Sequence, residues 1–396
     1  MKIAVSAEFS GTKTGGVETY EVNTLRALAA IDQTNEYHLY HTWKMLPADR
    51  IQQANFKYHN LGPYASWLRV STLLPLSVSL QRPDLVHVQN AVAPWCPNPV
   101  VATIHDLSFE TNPETYPAGI RSRLKKLVPA TARKAAVVIT VYHVVREQLV
   151  DLYGIPREKI EVIPNGCAPY FRPIDDPAIL AAARAQYNLP DKYLLYAGSI
   201  IPRKNVTGVV EAFARLKRNH AVEEKLVLVG ENRWGRGEEV FRAIERLGLS
   251  SEVVVVGWVH PTELPSIYSQ ATAFVFPSHY ESFGLPVVEA MACGVPPIAS
   301  NVHALPEIVG QAGLLVDPLN VDDIAQAMVR MVKEPGLRDR LKAEGLSRAK
   351  LFSWERDAHA TLAVYERVCT SRTRRRAAET TRQSGQGAYR ERHRAD

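Results

Sequence analysis

Two acidic and two basic residues in the second half of the chain have types and positions that suit a charged, hydroxylated ligand. Glu281 and Glu289 lie eight positions apart in the segment SHYESFGLPVVEAMACGVPPIAS, and Arg203 and Lys204 lie in YAGSIIPRKN. Paired cations suit a diphosphate, whereas a carboxylate repels phosphate and accepts hydrogen bonds from vicinal hydroxyls. This set therefore predicts a ligand with a diphosphate between two polyols, as in a sugar nucleotide.

The elements around these four residues would place them at one edge of a sheet. YLLYAGS and TAFVFP predict buried strands, and the carboxyl ends of neighbouring parallel strands form the ligand-binding edge. Pro286 suits the first turn of a helix, which would put Glu289 in that first turn and Glu281 in the loop before it. The amides after Gly284 would then be unpaired donors that attract electron-rich oxygens.

Composition and charge limit the class of protein. The chain has 396 residues, 46% hydrophobic and 22% charged, which fits a globular protein of two domains. Residues 371–396 hold eight arginines against three acids, so most of the formal charge of +6 lies there and the remainder is nearly neutral. A nearly neutral body argues against a nucleic-acid enzyme, and we expect no nucleic-acid partner. The basic end could contact anionic lipid, or it could be a solvated tail.

Cysteine usage and apolar runs bear on localisation. Four isolated cysteines form no Cys-x-x-Cys pair, which fits a reducing cytoplasm and gives no sign of a metal or redox centre. The first residues do not resemble a signal peptide, and the longest mostly apolar run, AAVVITVYHVV, is too short to cross a bilayer. We therefore expect a cytoplasmic protein whose membrane contact, where there is any, is peripheral.

Apolar runs alternate with amphipathic ones along the chain, and this alternation predicts parallel sheets covered by helices on both faces. The predicted strands are 2–8, 36–42, 56–61, 84–90, 100–106, 136–141, 160–165, 193–199, 225–230, 253–258, 272–277, 296–300 and 313–318. The predicted helices include 17–31, 119–134, 143–153, 205–218, 237–247, 261–269, 286–293, 322–333, 336–350 and 353–368.

A stretch rich in Pro, Gly and Asp interrupts the alternation and divides the chain into two doubly wound α/β domains that face a cleft. The predicted parts are an N-terminal Rossmann-like acceptor-binding domain (1–166), a linker (167–190), a C-terminal Rossmann-like nucleotide-sugar-binding domain (191–352), a C-terminal helix (353–370) and a basic disordered tail (371–396).

Six segments in order resemble one family across residues 1 to about 368. YESFGLPVVEAMACGVPPIAS resembles the Glu-x7-Glu motif of the retaining glycosyltransferases of family 4, which have the GT-B fold of two Rossmann-like domains. GSIIPRKN, IEVIPNG, FSWE, GGVETY and HDLSFE resemble further segments of that family. The resemblance implies a GT-B glycosyltransferase that acts on a nucleotide sugar.

The resemblance also implies roles on the donor side. Glu289 would hold the ribose hydroxyls, and Glu281 would contact the transferred sugar. Arg203 and Lys204 would hold the diphosphate and stabilise the leaving group. The other residues expected to bind the donor are Phe283, Gly284 and Leu285 through their amides, Gly16 and Ser199.

On the acceptor side, the family resemblance carries the assignment. It places Gly15 and Asp106 near the acceptor, His105 near the donor sugar, and a hinge at Asn165–Gly166. From the residues alone, GTKTGGVE would be an ordinary glycine-rich turn, and a histidine at a strand end would more often be structural. Both interpretations stay open at this stage.

Mechanism follows from the leaving group. Glycosyl transfer needs stabilised charge on the departing diphosphate and on an oxocarbenium-like centre. The chain contains no Asp-x-Asp triplet, so we expect metal-independent transfer without a cofactor, with cations and helix amides in place of a metal. The family resemblance implies retention, in which the departing phosphate oxygen takes the acceptor proton.

The substrates are expectations from the same resemblance. HDLSFE and YESFGLPVVEAMACG are most similar to bacterial mannosyltransferases that use GDP-mannose, and UDP-hexoses are the alternative donors. The expected acceptor is a saccharide or lipid-linked saccharide of cell-surface polysaccharide synthesis. The basic, partly apolar stretch 119–135 could lie on an anionic membrane.

Two other classes of function remain open. A nucleotide-dependent oxidoreductase or epimerase would need Gly-x-Gly-x-x-Gly after the first strand, which the chain lacks. A non-catalytic GT-B scaffold would not need Arg203, Lys204, Glu281 and Glu289, so their presence argues against this class. Tyr142–His143 and Pro297 depart from the family pattern; we expect neither to touch the donor motif, and the first to alter the acceptor side.

Overall fold

The computed structural model describes residues 1–12, 15–45, 50–97, 99–113, 116–232 and 237–372. Within them the chain forms two separate sheets in which every strand pair is parallel. Helices connect the strands, and the predicted class of two doubly wound α/β domains is confirmed.

The first sheet has seven strands in the order β3-β2-β1-β4-β5-β6-β7. The strands are β1 (Lys2–Ala7), β2 (Glu36–His41), β3 (Phe56–Asn60), β4 (Leu85–Gln89), β5 (Val100–Ile104), β6 (Val137–Thr140) and β7 (Ile160–Val162). The chain starts in the middle and winds first to one edge and then to the other. Its reversal lies between β1 and β4, where an open α/β sheet has its ligand crevice.

The second sheet has six strands in the order β10-β9-β8-β11-β12-β13. The strands are β8 (Tyr193–Ala197), β9 (Lys225–Val229), β10 (Val253–Gly257), β11 (Ala273–Phe276), β12 (Pro297–Ser300) and β13 (Leu314–Val316). The same reversal occurs between β8 and β11, which pair through Ala273 with Leu194 and Phe274 with Leu195.

Helices precede, connect and follow the strands. They are α1 (Gly16–Ile31), α2 (Ser66–Leu68), α3 (Leu74–Gln81), α4 (Ser108–Thr111), α5 (Ala118–Lys134), α6 (His143–Tyr153), α7 (Pro177–Tyr187), α8 (Val206–Asn219), α9 (Glu238–Arg246), α10 (Leu264–Tyr268), α11 (Leu285–Ala292), α12 (Leu305–Val309), α13 (Val321–Lys333), α14 (Pro335–Ala349) and α15 (354–372). A π-helical turn, Arg69–Leu73, joins α2 to α3.

Burial explains why these segments become strands. Every residue of β4, β5, β6, β8, β11 and β12 is buried. A parallel strand covered by helices on both faces needs apolar residues at successive positions, and runs such as AFVF in β11 supply them. All thirteen predicted strands are present, each within a few residues of its predicted bounds.

Several helices were not predicted. Helices α2, α3, α4 and α12 were not predicted from the sequence, and α7 lies inside the segment interpreted as a linker. Asp176 caps α7, because its carboxylate accepts hydrogen bonds from the amides of Ala178 and Ile179. An Asp-Pro start is a helix signal, which the abundance of Pro and Asp around it obscured.

The chain crosses back to the first domain at its described end. Cys167 and Ser353 form an isolated parallel bridge, and α15 follows. The Thr24 hydroxyl donates to Asp357 Oδ1 at 2.8 Å, joining α15 to α1. The predicted C-terminal helix is therefore present and extends to residue 372. The rest of the predicted basic tail, 373–396, lies outside the described residues. None of the described helices is both long enough and apolar enough to span a bilayer.

Candidate active site

The donor-side charges follow two adjacent strands of the second sheet. Arg203 and Lys204 form a short 3-10 turn, Pro202–Lys204, after β8, and Glu281 lies in the loop after β11. Because β8 and β11 are hydrogen-bonded neighbours, their carboxyl ends lie side by side. The structure thus brings Glu281 together with two neighbouring cations that lie 77 or more positions earlier in the sequence.

These three residues form a buried ion cluster. The ammonium of Lys204 donates to Glu281 Oε1, and Arg203 Nη1 lies 3.8 Å from the same oxygen. Arg203 Nη1 also donates to the carbonyl oxygen of Tyr280 at 2.8 Å. The side chains of Glu281, Lys204 and Arg203 are 7%, 12% and 16% exposed, so water screens their interactions weakly.

Burial and charge act in opposite directions on this cluster. Burial alone would raise the pKa of Glu281, but the charges of Lys204 and Arg203 outweigh it and lower that pKa. Burial lowers the pKa of Lys204, while the Glu281 carboxylate opposes this shift. The pKa of Arg203 is raised because Glu281 and Asp106 outweigh its burial. Glu281 is therefore held ionised.

Helix α11 begins beside the cluster. Gly284 is its N-cap with φ 101°, a backbone conformation that favours glycine, and a Cβ there would also displace the side-chain end of Leu305, since it would lie 2.5 Å from Cδ2. Pro286 lies in the first turn, as predicted. The amides of Phe283, Gly284 and Leu285 stand at the helix start, where intrahelical acceptors are lacking.

The side chain of Phe283 has a packing role. It is buried and makes edge-to-face contacts with Phe352 at 5.6 Å and with Tyr142 at 5.8 Å between ring centroids. Tyr142 directly precedes α6 of the first domain. The expectation that the departure at Tyr142 would not touch the donor motif is therefore wrong: an aromatic ring there reaches across the domain boundary and packs on the motif itself.

Glu289 is the fifth residue of α11, so the prediction that it lies in the first turn is wrong; the described first turn has no acid. The helix begins at Leu285 rather than later, because Gly284 ends the loop. The Tyr268 hydroxyl lies 3.5 Å from Glu289 Oε2. Glu289 as a whole is partly exposed, but burial of its carboxyl group raises the pKa of Glu289 to about 7.

His105 and Asp106 lie across the cleft, directly after β5. Both line a cavity of about 430 Å³ in the first domain, together with Trp67 and Tyr116. His105 is buried, its ring packs edge-to-face on Tyr20 at 4.7 Å, and its Nε2 lies 2.8 Å from Gln89 Oε1. Burial lowers the pKa of His105 to about 3, so the ring is neutral at physiological pH.

Two contacts bring the first domain to the donor side. The charge of Asp106 acts on Arg203, and a Cβ on Gly16 would meet Leu285 Cδ1 at 3.8 Å. The start of α1, capped by Gly15 at φ 77°, therefore lies near the start of α11. Ser199 lies close to Arg203 in sequence, and its carbonyl accepts from the Tyr196 hydroxyl at 2.9 Å.

The predicted hinge is tightly packed. A Cβ on Gly166 would come within 2.1 Å of the backbone nitrogen of Trp354, so no larger residue fits. Among the described residues, none forms a hydrogen bond with the buried Oδ1 of Asn165. Packing thus accounts for this glycine, and the hinge role itself stays a prediction.

Four residues near the cleft were not singled out from the sequence. Tyr280 Oη donates to Gln148 Oε1 at 2.9 Å and so links the two domains beside Glu281. Glu21 and Gln89 are buried, with Gln89 Nε2 donating to Glu21 Oε2 at 2.6 Å. One signal was available: Glu21 lies on the apolar face of α1, where an acid needs an internal partner.

Metal-binding side chains do not gather into a group of three or more anywhere in the described part of the chain. Metal-independent transfer stays an expectation.

Family models match most of the chain. Residues 14–169 match a model described as Glycosyltransferase Family 4, and residues 181–348 match one described as Glycosyl transferases group 1. An O-antigen chain mannosyltransferase B of Escherichia coli is 30% identical over 383 residues, covering 92% of this chain and 100% of that protein.

Solved structures share the fold. A sucrose-phosphate synthase from Thermosynechococcus elongatus superposes with a TM-score of 0.76 at 24% identity, covering 94% of this chain and all of that one. HepE from Anabaena, solved in complex with UDP and glucose, gives a TM-score of 0.75 at 19% identity, covering 92% of this chain and 99% of that one. These likenesses show a common two-domain architecture.

Proposed function

The chain belongs to the family 4 glycosyltransferases, and from that premise we propose that it transfers mannose from GDP-mannose to a saccharide or lipid-linked saccharide acceptor in cell-surface polysaccharide synthesis, with retention of configuration. The activity of the similar Escherichia coli mannosyltransferase supports the sugar and the process. UDP-hexoses are the alternative donors.

The ion cluster of Arg203, Lys204 and Glu281 carries the proposal. A departing nucleoside diphosphate gains negative charge, and two buried cations beside free helix amides stabilise such charge where water screens it little. Arg203 offers a rigid fork and Lys204 a mobile point charge. Before the donor binds, Glu281 holds both cations in place. Once the cations bind the diphosphate instead, the Glu281 carboxylate is available to the sugar.

The same arrangement supports the proposal of retention without a metal. The cations and the amides of α11 provide the charge that a metal would supply. The departing phosphate oxygen, held on the face that the acceptor attacks, takes the acceptor proton. His105 cannot act as an acid at neutral pH because its pKa is about 3. It serves instead as a neutral hydrogen-bonding group beside the sugar.

The acceptor enters from the cavity of the first domain. His105 and Asp106 border that cavity, and Trp67 on its wall is 60% exposed. An exposed aromatic face beside hydrogen-bonding groups suits a sugar ring. Helix α5 exposes Ile120, Lys125 and Lys126 nearby, which suits peripheral contact with an anionic inner membrane face.

Thermal shift measurements on the wild-type protein test the donor. The preferred nucleotide sugar should raise Tm by mass action in the absence of a metal, and we expect GDP-mannose to exceed UDP-glucose, UDP-galactose and ADP-glucose. A larger rise in Tm with a UDP-hexose would make that sugar nucleotide the donor in place of GDP-mannose. No rise in Tm with any of the four would contradict the proposal that the protein binds a nucleotide sugar. The anomeric configuration of the product, read by NMR coupling constants, tests retention.

A further inference from the structure

A buried glutamate in the first domain is surrounded by hydrogen-bond donors. Glu21 Oε1 accepts from the Ser10 amide at 2.7 Å and from the Ser10 hydroxyl at 2.6 Å. The Phe9 amide lies 3.2 Å from both carboxylate oxygens, and Gln89 Nε2 donates to Oε2 at 2.6 Å. Four donors around one carboxyl group match its ionised form, which only accepts.

Gln89 transmits this preference to His105. An amide side chain has a donor end and an acceptor end, and the carboxylate of Glu21 engages the donor end. The acceptor end, Oε1, then lies 2.8 Å from His105 Nε2, which must carry a proton to bond with it. The other ring nitrogen, Nδ1, is consequently bare.

We propose that Glu21 and Gln89 are positioning residues that hold His105 in its Nε2–H tautomer and so present Nδ1 as a hydrogen-bond acceptor to a hydroxyl of the acceptor saccharide. Glu21 does not border the cavity of His105, whereas Gln89 lies on its wall, and both act through the His105 ring. The saccharide part of this inference rests on the proposed function, whereas the tautomer does not. Among the described residues, none forms a hydrogen bond with Nδ1, which leaves it for a ligand in the adjoining cavity.

Protonation of Glu21 would reverse the chain of hydrogen bonds. A protonated carboxyl can donate to Gln89 Oε1 once the amide has rotated by half a turn. The amide nitrogen then donates to His105 Nε2, and the proton of the ring moves to Nδ1. The residue that reaches the sugar thus changes from an acceptor to a donor, without any movement of the backbone.

The charges around Glu21 set the pH at which this reversal occurs. Burial raises the pKa of Glu21 to about 8, the donors of Ser10 and Phe9 oppose it, and Glu8 at the end of β1 adds to it. His87 of β4 faces the same small space and is neutral, since burial lowers its pKa. The charge of Asp357 of α15 acts on the neighbouring Tyr20, whose pKa it raises. The Nε2–H tautomer should dominate at pH 9 and give way as the pH falls through 8.

Nitrogen NMR of the full-length protein, labelled with ¹⁵N in the histidine rings, tests the tautomer directly. The ¹⁵N shift separates a bare from a protonated ring nitrogen, and the signals of His105 are those lost in His105→Gln. At pH 9 we expect a bare Nδ1 and a protonated Nε2. A protonated Nδ1 at pH 9 would overturn the inference.

Two variants of nearly wild-type shape make the test sharper. In Glu21→Gln, the new amide nitrogen faces Gln89, which must rotate, so His105 should adopt the Nδ1–H tautomer even at pH 9. In Gln89→Met, the link is absent and His105 should show a mixture of tautomers. Gln52→Met, an exposed change away from the cleft, is the matched control. An unchanged His105 tautomer in both cleft variants would refute the assignment.

Kinetics connect the tautomer to transfer. With the donor shown active on the wild-type enzyme, Glu21→Gln should lower kcat by about 10-fold or more at pH 9, as expected for one lost hydrogen bond, with little change in donor KM. A higher donor KM with an unchanged kcat would instead assign Glu21 a merely structural role. Because the NMR readout needs no substrate, failure of the proposed reaction would leave the tautomer result standing.

Discussion

The strand ends on the two walls of the cleft carry different groups. We call Arg203, Lys204, Glu281 and Glu289 of the second domain the charged wall, and His105 with Gln89 of the first domain the neutral wall. A buried ion pair of Glu8 with Arg69 also lines the cavity of the first domain. On the second domain, Arg203, Lys204 and Glu281 are charged groups that contact one another directly. On the first domain, His105 is neutral and is joined to Gln89 by an uncharged hydrogen bond. Both sets follow the carboxyl ends of parallel strands, so the topology is the same and the difference lies in the residues.

This difference suggests a division of labour. Charge develops on the leaving diphosphate, and the wall with buried cations is the one that can stabilise it. An acceptor hydroxyl is uncharged until it attacks, and it needs orientation more than charge. A buried ion pair is weak evidence for stability, because desolvation offsets the attraction. We therefore attribute the charged wall to chemistry and the neutral wall to positioning.

Removal of Lys204 should have the largest effect. Lys204→Met leaves the Glu281 carboxylate buried with a single, more distant cation at 3.8 Å. It also removes one of the two cations that stabilise the departing diphosphate, and loss of one such group lowers the rate by about 10²- to 10³-fold, so kcat/KM for the donor should fall by that factor. Steady-state release of the nucleotide diphosphate measures it.

An exposed ion pair supplies the control for this experiment. Lys192 and Glu223 are 2.7 Å apart and largely exposed. Lys192→Met should leave both Tm and kcat/KM unchanged, because water screens such a pair. Wild-type kcat/KM in Lys204→Met would mean that the charged wall is structural, and the contrast between the two walls would then disappear.

The two glutamates of the charged wall should separate in their effects. Glu281→Gln removes the charge that holds Lys204 and Arg203, so kcat should fall by about 100-fold with a smaller change in donor affinity. Glu289→Gln keeps the shape of a ribose-binding group but loses its charge, so donor Kd should weaken by roughly 10-fold or more while kcat changes little. Calorimetric donor binding and single-turnover rates measure both quantities.

Equal effects of the two variants on donor affinity alone would remove this separation. Circular dichroism and Tm must show that each variant is folded, because Glu281 is buried and ion-paired. A folded Glu281→Gln enzyme with normal kcat would place the transferred sugar elsewhere.

Sequence reasoning succeeded where the signal was local. Strands such as AFVF are recognisable because each of their residues is buried. Residue types and strand ends were enough to group Arg203 and Lys204 with Glu281, which the structure brings together. The direct contact of Lys204 with Glu281 was not predicted, because the sequence suggested that cations and carboxylates would bind separate parts of the donor.

The neutral wall was harder to predict for a physical reason. Uncharged hydrogen bonds between Gln89 and His105 depend on a register between β4 and β5 that no local pattern reveals. The contact of Tyr142 with Phe283 depends on how two domains meet. Helix α7 was hidden because Pro and Asp serve both turns and helix starts.

The smallest effect concerns pH, and it distinguishes the walls without any mutation. The pKa of Glu289 is raised to about 7 by burial, and a carboxylate accepts two ribose hydroxyls better than a carboxyl group does. Donor binding should therefore release a proton, and GDP-mannose should bind about 10-fold more weakly at pH 6 than at pH 8. The diphosphate of a sugar nucleotide stays fully ionised over this range, so it adds no pH dependence of its own. Glu289→Gln should give a flat profile by calorimetry, whereas Glu21→Gln should keep the wild-type slope; a slope that survives in Glu289→Gln would assign the titration to another group.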